Sequence, residues 1–412
     1  MVISSLIHLA KEKSIIPTRS RRIGPGRLYR FLISSESEDT FQVISKVPNF
    51  VSDPAKSYTL PGNYYYDPEI YAREFPAIFY RTWQYMGHVS MLPERGHFMV
   101  RDLGNQSILA VRGEDGRLRA FYNVCQHRAH RLAEGRGTIK NRIVCPYHTW
   151  SYKLDGGLHR AHGSEHLPDF DPANFGLKPV RLELMCGFIF INMDPDATPL
   201  SRSYAGLEDE IHAFSPNAEK LKCVYRKEYP LAANWKNSVE NFSECYHCPN
   251  QHKSLSTQAL DITSYRIEVR DNFHSHRSRD KGDKQGYSVD GGKSGKPNEF
   301  GGWMIWPNVC LEVFPGGNLN IFYHLPVNAE HTVQVVEWFF PNNSPTAEEQ
   351  AVIDFMKVVR EEDIPLCESV QKGLHSKGYS QGRFMINQDR PHLNEHAVHH
   401  FQLKVLDALS RP

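Results

Sequence analysis

Apolar and polar positions change rhythm part-way along the chain. Between residues 83 and 194 they alternate in short runs: Phe98-Met99-Val100, Ser107-Ile108-Leu109-Ala110-Val111, Leu118-Arg119-Ala120-Phe121-Tyr122 and Gly187-Phe188-Ile189-Phe190-Ile191. Turn residues separate them at Gly104-Asn105, Glu114-Asp115-Gly116 and Asp155-Gly156-Gly157. Period two with this punctuation predicts a small antiparallel β domain over 83–196, ending near Asp194-Pro195. The aromatic stretch 61–80 ahead of it is predicted helical from Pro68, in a lead-in (56–82) that packs on the second domain. From 197 to 412 the pattern is mixed. Helical spacing occupies 203–216, Asn234–His247, and a long segment from Pro345 to about Gly373. Runs at 264–273, 309–314, 319–327 and 331–340 predict strands, with a turn at Pro315-Gly316-Gly317. Residues 278–302, rich in Gly, Lys and Asp, predict a long polar loop. No internal repeat is visible.

At 412 residues the chain has room for two cores. A net charge of +1 provides no bulk field for nucleic acid or an acidic membrane, and no apolar run reaches membrane-spanning length. Eight cysteines are too few for a secreted scaffold of this size, so a cytoplasmic protein with reduced thiols is expected, Cys186, Cys223, Cys245, Cys248, Cys310 and Cys367 included. Residues 1–55 are basic and broken by Ser, Pro and Gly, which predicts a weakly packed arm without chemistry.

Two ligand pairs stand out in the β domain: Cys125-Gln126-His127 and Cys145-Pro146-Tyr147-His148, or C-x-H…C-x-x-H. In a [2Fe–2S] cluster of mixed ligation, thiolates hold one iron and imidazoles the other, which raises the potential. A zinc ion also accepts two Cys and two His, but zinc fingers usually pair Cys with Cys and His with His. Tyr147, Trp150 and Tyr152 are placed to shield the sulfurs, and a hydroxyl among them to tune the potential.

The second constellation is Asn234–His252. His247 and His252 lie five apart, and Pro249 between them is expected to stop the helix so that His252 folds back. Two imidazoles and one carboxylate suit iron(II) with open positions for dioxygen and substrate. The apolar stripe Val352, Phe355, Val359, Leu366, Val370 of the last long helix is interrupted by Glu362 and Asp363, with Pro365 expected to kink the helix beside them. Asp363 is the expected third ligand, with Glu362 in reserve.

The run E-N-F-x-E-C-Y-H-C-x-x-x-H after C-x-H…C-x-x-H resembles the α-subunit of Rieske non-haem iron oxygenases, from about residue 60 to the C-terminus. The resemblance implies an α+β fold: a Rieske antiparallel β domain plus a helix-grip catalytic domain with a central antiparallel sheet. It implies a Rieske [2Fe–2S] cluster on Cys125, His127, Cys145 and His148 and a mononuclear Fe(II) on His247, His252 and Asp363. Further implications are a head-to-tail homotrimer and Glu244 as the bridge from a neighbour's His148. In most of the family that acid is aspartate. Glutamate is similar to the branch acting on quaternary ammonium compounds, nearest the bacterial proline betaine (stachydrine) and glycine betaine demethylases. A plainer role for Glu244 is a cap or a pairing with Lys236.

The implied reaction is oxidative N-demethylation, favouring proline betaine to N-methylproline plus formaldehyde. Alternatives are glycine betaine or carnitine oxygenation, choline monooxygenation, ring hydroxylation of an arene, or a Rieske electron carrier that is not an oxygenase. Electrons from NAD(P)H need a separate flavin and iron–sulfur reductase, because no dinucleotide fingerprint or plant-type ferredoxin cysteine set occurs. A quaternary ammonium is held by aromatic faces. Trp303, Trp306, Phe314 and Tyr323 are the candidates, with His324, Asn318, Asn320 and Gln371 as partners for a substrate carboxylate. For any one of these aromatics alone, core packing is the more expected role.

Overall fold

The computed structural model describes residues 47–281, 299–315 and 317–411. Two seven-stranded antiparallel sheets organise it. The first contains β1 (Gln84–His88), β2 (His97–Leu103), β3 (Gln106–Arg112), β4 (Leu118–Tyr122), β5 (Arg136–Thr138), β9 (Pro179–Met185) and β10 (Phe188–Asn192), in the order β1-β10-β9-β4-β3-β2-β5. The short strands β6 (Ile143–Val144), β7 (Ser151–Tyr152) and β8 (Leu158–Arg160) form a third, small sheet. The four alternating runs of the sequence are β2, β3, β4 and β10.

The second large sheet runs β11-β17-β16-β15-β14-β13-β12, where β11 is Lys222–Leu231, β12 Arg266–Val269, β13 Phe273–Arg279, β14 Glu299–Ile305, β15 Val309–Phe314, β16 Asn318–Asn328 and β17 His331–Phe340. The expected strand 264–273 is instead β12, a turn, and the start of β13. Beyond Phe273, β13 was not foreseen, nor were two whole strands. β11 is mostly polar and charged, because one of its faces is solvated. β14 falls in the stretch read as loop, where Gly301 and Gly302 hid a strand that carries Phe300 and Trp303. The rest of that loop, 282–298, lies outside the described residues, as do residues 1–46 of the basic arm. Residues 47–55 are not loose: Val47 and Phe50 are buried, and Phe50 stacks on His399 at 5.0 Å.

Helices pack on both faces of the second sheet. These are α1 (Pro68–Glu74), α2 (Leu200–Ser203), α3 (Leu207–Phe214), α4 (Trp235–Phe242), α5 (Cys248–Gln251), α6 (Ala347–Leu374) and α7 (His396–Ser410). α2 and α3 lie on one face and the rest on the other. Asp67 caps α1, with Pro68 at the first helical position. Thr346 and Glu349 close a capping box on α6. α6 continues through Pro365 as one helix. Its buried residues are Val352, Ile353, Met356, Val359, Arg360, Cys367, Gln371 and Leu374, which share only Val352 and Val359 with the expected apolar series, and Val370 is exposed. Asp363 sits on this buried face, four residues from Val359 and from Cys367, the spacing of one helix face. One large core joins α1, α4, α6 and α7 to the Phe300, Cys310, Phe314 and Phe322 side of the sheet. The opposite side packs Trp303, Leu311, Ile321 and Tyr323 against Phe188 and Phe214. No described helix is long and apolar enough to cross a membrane.

Candidate functional site

The four candidate cluster ligands sit on two loops of matching design. In one, Cys125 N–H donates to His130 O at 2.9 Å and Ala129 N–H to Cys125 O at 3.1 Å. In the other, Cys145 N–H donates to Trp150 O at 2.8 Å and Thr149 N–H to Cys145 O at 3.0 Å. Ala129 and Thr149 each take a positive φ, 58° and 57°, to close their loops. Both sulfurs are buried, whereas His127 is exposed and His148 half-buried, so the imidazole side faces outward. The His127 and His148 rings lie 4.7 Å apart, and Trp150 stacks on His127 at 4.9 Å. Tyr152 O–H donates to Cys125 Sγ at 3.2 Å and accepts Gln126 N–H at 2.9 Å.

Among the described residues, donor groups lying within 4.8 Å of one another occur at His247, His252 and Asp363 and at Cys186, Glu208, His212 and Glu219; the four loop ligands are not gathered so tightly. A single zinc ion, with bonds of about 2.0–2.3 Å, would pull four donors inside that radius. The wider spread fits a two-iron cluster.

The second centre is built where α4 ends. α4 stops at Phe242, before Glu244, so Glu244 and His247 do not share a helical face as expected. They meet through a tight turn instead: Glu244 accepts the backbone N–H groups of Tyr246 and His247 and the Nδ1–H of His247. Pro249 does not stop a helix; it lies in the first turn of α5. Cys245 and Cys248 are joined in a disulfide that closes the loop carrying Tyr246 and His247, so these two thiols are not free as the composition implied. Lys236 is not available to Glu244, being buried against Glu74.

His247 Nε2 and His252 Nε2 are 3.1 Å apart. Asp363 Oδ1 lies 3.0 Å from the latter and 3.6 Å from the former. Three ligands on one face of an octahedron with bonds of about 2.1 Å are about 3 Å apart, so the triangle has the size of a facial triad. Asp363 Oδ1 is buried with no hydrogen-bond partner. Each imidazole is turned by a carboxylate on its far nitrogen: His247 by Glu244, and His252 by Glu362 Oε2 at 2.8 Å. With Nδ1–H donating outward, both Nε2 lone pairs converge on the anionic oxygen, and a cation fits there. Burial would lower the His247 pKa, but Asp363 and Glu244 outweigh it and raise it to about 10. Burial pushes Asp363 up, yet the two histidines hold it below the usual carboxylate range. The position favours positive charge. Glu362, the reserve ligand, is the outer partner of His252.

A cavity opens on this triangle, lined by Phe242, Tyr265, Phe300, Phe314, Glu312 and Arg360 among others. Phe300 and Phe314 are 5.2 Å apart, and Tyr265 stacks along Phe300 at 6.4 Å. Tyr265 Oη and His276 Nδ1 are hydrogen-bonded at 2.7 Å, and burial lowers the His276 pKa to about 3, keeping the imidazole neutral. Of the four expected aromatics only Phe314 lines this cavity. Trp303 and Tyr323 point to the other side of the sheet, where Trp303 Nε1–H donates to Glu210 at 2.9 Å and Arg101 donates to Tyr323 O–H at 3.0 Å. Successive strand residues alternate faces, so an odd step from Phe314 along paired strands lands on the wrong side. Trp306 packs on Phe401 at 5.5 Å, away from the cavity. Asn318, Gln371 and His324 are engaged with Pro315 O, Tyr65 O and Cys310 Sγ respectively, and Asn320 donates to Glu312. Glu312, Arg360, Tyr265 and Phe300 were missed. Two had a signal: Glu312 is two residues before Phe314 on one strand, and Arg360 three before Asp363 on one helix.

Comparison with known proteins decides the family. Residues 82–171 match the Rieske [2Fe-2S] domain, and 218–411 match the ring hydroxylating alpha subunit (catalytic domain). The carnitine monooxygenase oxygenase subunit of Escherichia coli (strain K12) is 38% identical over 356 residues, 86% of this chain and 94% of that one. This chain is a Rieske oxygenase α-subunit of the quaternary-ammonium branch. The chloroplastic choline monooxygenase of Spinacia oleracea is 30% identical over 84% of this chain and 77% of that one. The crystal structure of the quaternary ammonium Rieske monooxygenase CntA with L-carnitine superposes with a TM-score of 0.78 at 34% identity, covering 87% of this chain and 98% of that one. Naphthalene 1,2-dioxygenase from Rhodococcus sp., at 18% identity and a TM-score of 0.78, shares the fold. As a Rieske non-haem iron monooxygenase, this α-subunit uses a Rieske [2Fe–2S] cluster and a mononuclear iron. Both halves of the expected α+β architecture are present.

Proposed function

We propose that this α-subunit oxidatively N-demethylates a quaternary ammonium betaine, proline betaine giving N-methylproline and formaldehyde. Cys125, His127, Cys145 and His148 hold the cluster; His247, His252 and Asp363 hold the iron. The observation that carries the reading is the aromatic wall of Tyr265, Phe300 and Phe314 beside that triad. A quaternary ammonium has no N–H to donate, and ring faces hold it by about 0.5–2 kcal/mol each. Carnitine and choline, named for the relatives above, carry the same head group.

Iron(II) on the triad would supply dioxygen activation and hydroxylation of one N-methyl group. The overall change consumes O2, two electrons and two protons, yielding the N-hydroxymethyl compound and water. That compound then releases formaldehyde, a proton and the tertiary amine. In this reading the residues position: the rings hold the cation with a methyl toward the triad, and Glu244 and Glu362 fix the imidazoles. Electrons enter from a separate NAD(P)H-dependent reductase through the cluster. A head-to-tail trimer would place the exposed His127–His148 side of one subunit against Glu244 of the next.

Single turnover of the chemically reduced protein with oxygen tests the reaction. Proline betaine, glycine betaine, carnitine, choline and naphthalene are offered, and formaldehyde is assayed. Formaldehyde with a betaine is expected; a hydroxylated product without formaldehyde would replace demethylation by hydroxylation. Glu244→Gln is expected to retain both metal centres by iron content and EPR while steady-state turnover with reductase stops. Full activity in that variant would remove the bridge.

A further inference from the structure

One feature of the cavity wall goes beyond cation recognition. Glu312 and Arg360 are both more than nine-tenths buried, yet both line the cavity next to the triad. Arg360 lies one helical turn before Asp363 on α6, so the two project the same way. Glu312 lies on β15 on the same face as Phe314. Their nearest approach, Arg360 Nη2 to Glu312 Oε2, is 3.8 Å, too long for a hydrogen bond. Asn320 Nδ2–H donates to Glu312 at 3.2 Å. The Arg360 guanidinium lies over the Phe322 ring at 3.8 Å. Among the described residues the Arg360 side chain makes no hydrogen bond, and its carboxylate neighbour is Glu312 at ion-pair distance only. A buried guanidinium with five donors is normally paired, and carboxylate is its best-matched partner. A carboxylate and a guanidinium side by side in a cavity wall present a fixed dipole. Its complement is a small molecule with a cation and an anion close together, laid head to tail against it.

We infer that Glu312 and Arg360 read a zwitterion, Glu312 with the Phe300 and Phe314 rings taking the ammonium and Arg360 taking a carboxylate near it. The inference rests on the quaternary-ammonium reading above and narrows it to compact betaines, whose carboxylate is one carbon from nitrogen, over choline, which has no anion. Recognition is two-sided, so each charge can be removed from the ligand and from the protein separately.

The test is anaerobic titration calorimetry on the protein carrying both metal centres. The ligands are glycine betaine, its methyl ester, which lacks the anion, and 3,3-dimethylbutyrate, in which carbon replaces the cationic nitrogen. Wild type is expected to prefer glycine betaine to either analogue by about tenfold or more. In Arg360→Gln the advantage over the ester should vanish while ester affinity is held. In Glu312→Gln the advantage over 3,3-dimethylbutyrate should vanish. Removing one member of a buried pair can unsettle folding, so the doubly neutral Glu312→Gln/Arg360→Gln protein is measured too, and it should lose both preferences. Equal weakening of all three ligands by Arg360→Gln, or an undiminished preference in the double variant, would overturn the zwitterion reading alone. Failure of wild type to bind either glycine betaine or its ester would remove the quaternary-ammonium reading as well.

Discussion

The proposed cluster loops and the proposed iron triad are two regions assembled by different means. Cys125, His127, Cys145 and His148 come from two short segments whose backbones repeat one hydrogen-bond pattern, so each loop sets its own pair of ligands. His247, His252 and Asp363 come from a turn, the end of a short helix and the middle of α6, and only tertiary packing brings them together. The cluster region buries its sulfurs and exposes its imidazoles. The triad is turned inward onto a cavity, with its imidazoles steered by Glu244 and Glu362. A site defined by local loops tolerates change at a distance, whereas a site held together by a helix face depends on everything that seats that helix.

The largest expected effect separates an inner carboxylate from an outer one on the same helix. Asp363→Ala should lose the mononuclear iron and bring turnover below detection while the cluster's EPR signal is unchanged. Glu362→Gln should keep the iron but weaken its binding about 10–100-fold, because the amide holds His252 less well. Iron retention during chelator titration, read against the cluster's absorbance, distinguishes them. Equal losses in the two variants would make both acids ligands and blur the contrast between inner and outer shells.

The same contrast explains what could be read from the sequence. The C-x-H…C-x-x-H pattern carries its geometry in a few residues, so its loops and the flanking strands β2, β3, β4 and β10 were legible. Asp363 was legible only as a polar break in an apolar stripe, and that stripe was itself partly misjudged: its real members include Gln371, which hydrogen-bonds Asn234 and Tyr65 from distant segments, and Arg360, which faces Glu312 across the cavity wall. Trp303 and Tyr323 show the limit most clearly. Both are fully buried aromatics in the catalytic sheet, as expected of pocket residues, yet they serve the core on its far side. Which face a strand residue takes is set by register, and β14 was masked by paired glycines that offer no side chain to count. The disulfide between Cys245 and Cys248 was hidden for a similar reason: composition speaks about a compartment, not about two sulfurs held on one turn.

The smallest expected effect sharpens the cluster side. Tyr152 is buried, and its O–H donates to Cys125 Sγ at 3.2 Å. Reduction adds negative charge to the cluster, so a hydrogen bond to a ligand sulfur stabilises the reduced form more than the oxidised one. Tyr152→Phe removes a hydrogen bond worth about 1 kcal/mol. If all of that falls on one redox state, the one-electron potential drops by roughly 40 mV. The same hydroxyl accepts Gln126 N–H, so the variant also frees one backbone donor beside His127. Spectroelectrochemical titration of the Rieske signal reads the shift, and ligand affinity at the iron cavity is the control that should stay put. A potential that does not fall would mean the hydroxyl holds the loop rather than the electron. A change in ligand affinity would mean the two regions are mechanically coupled despite their separate construction.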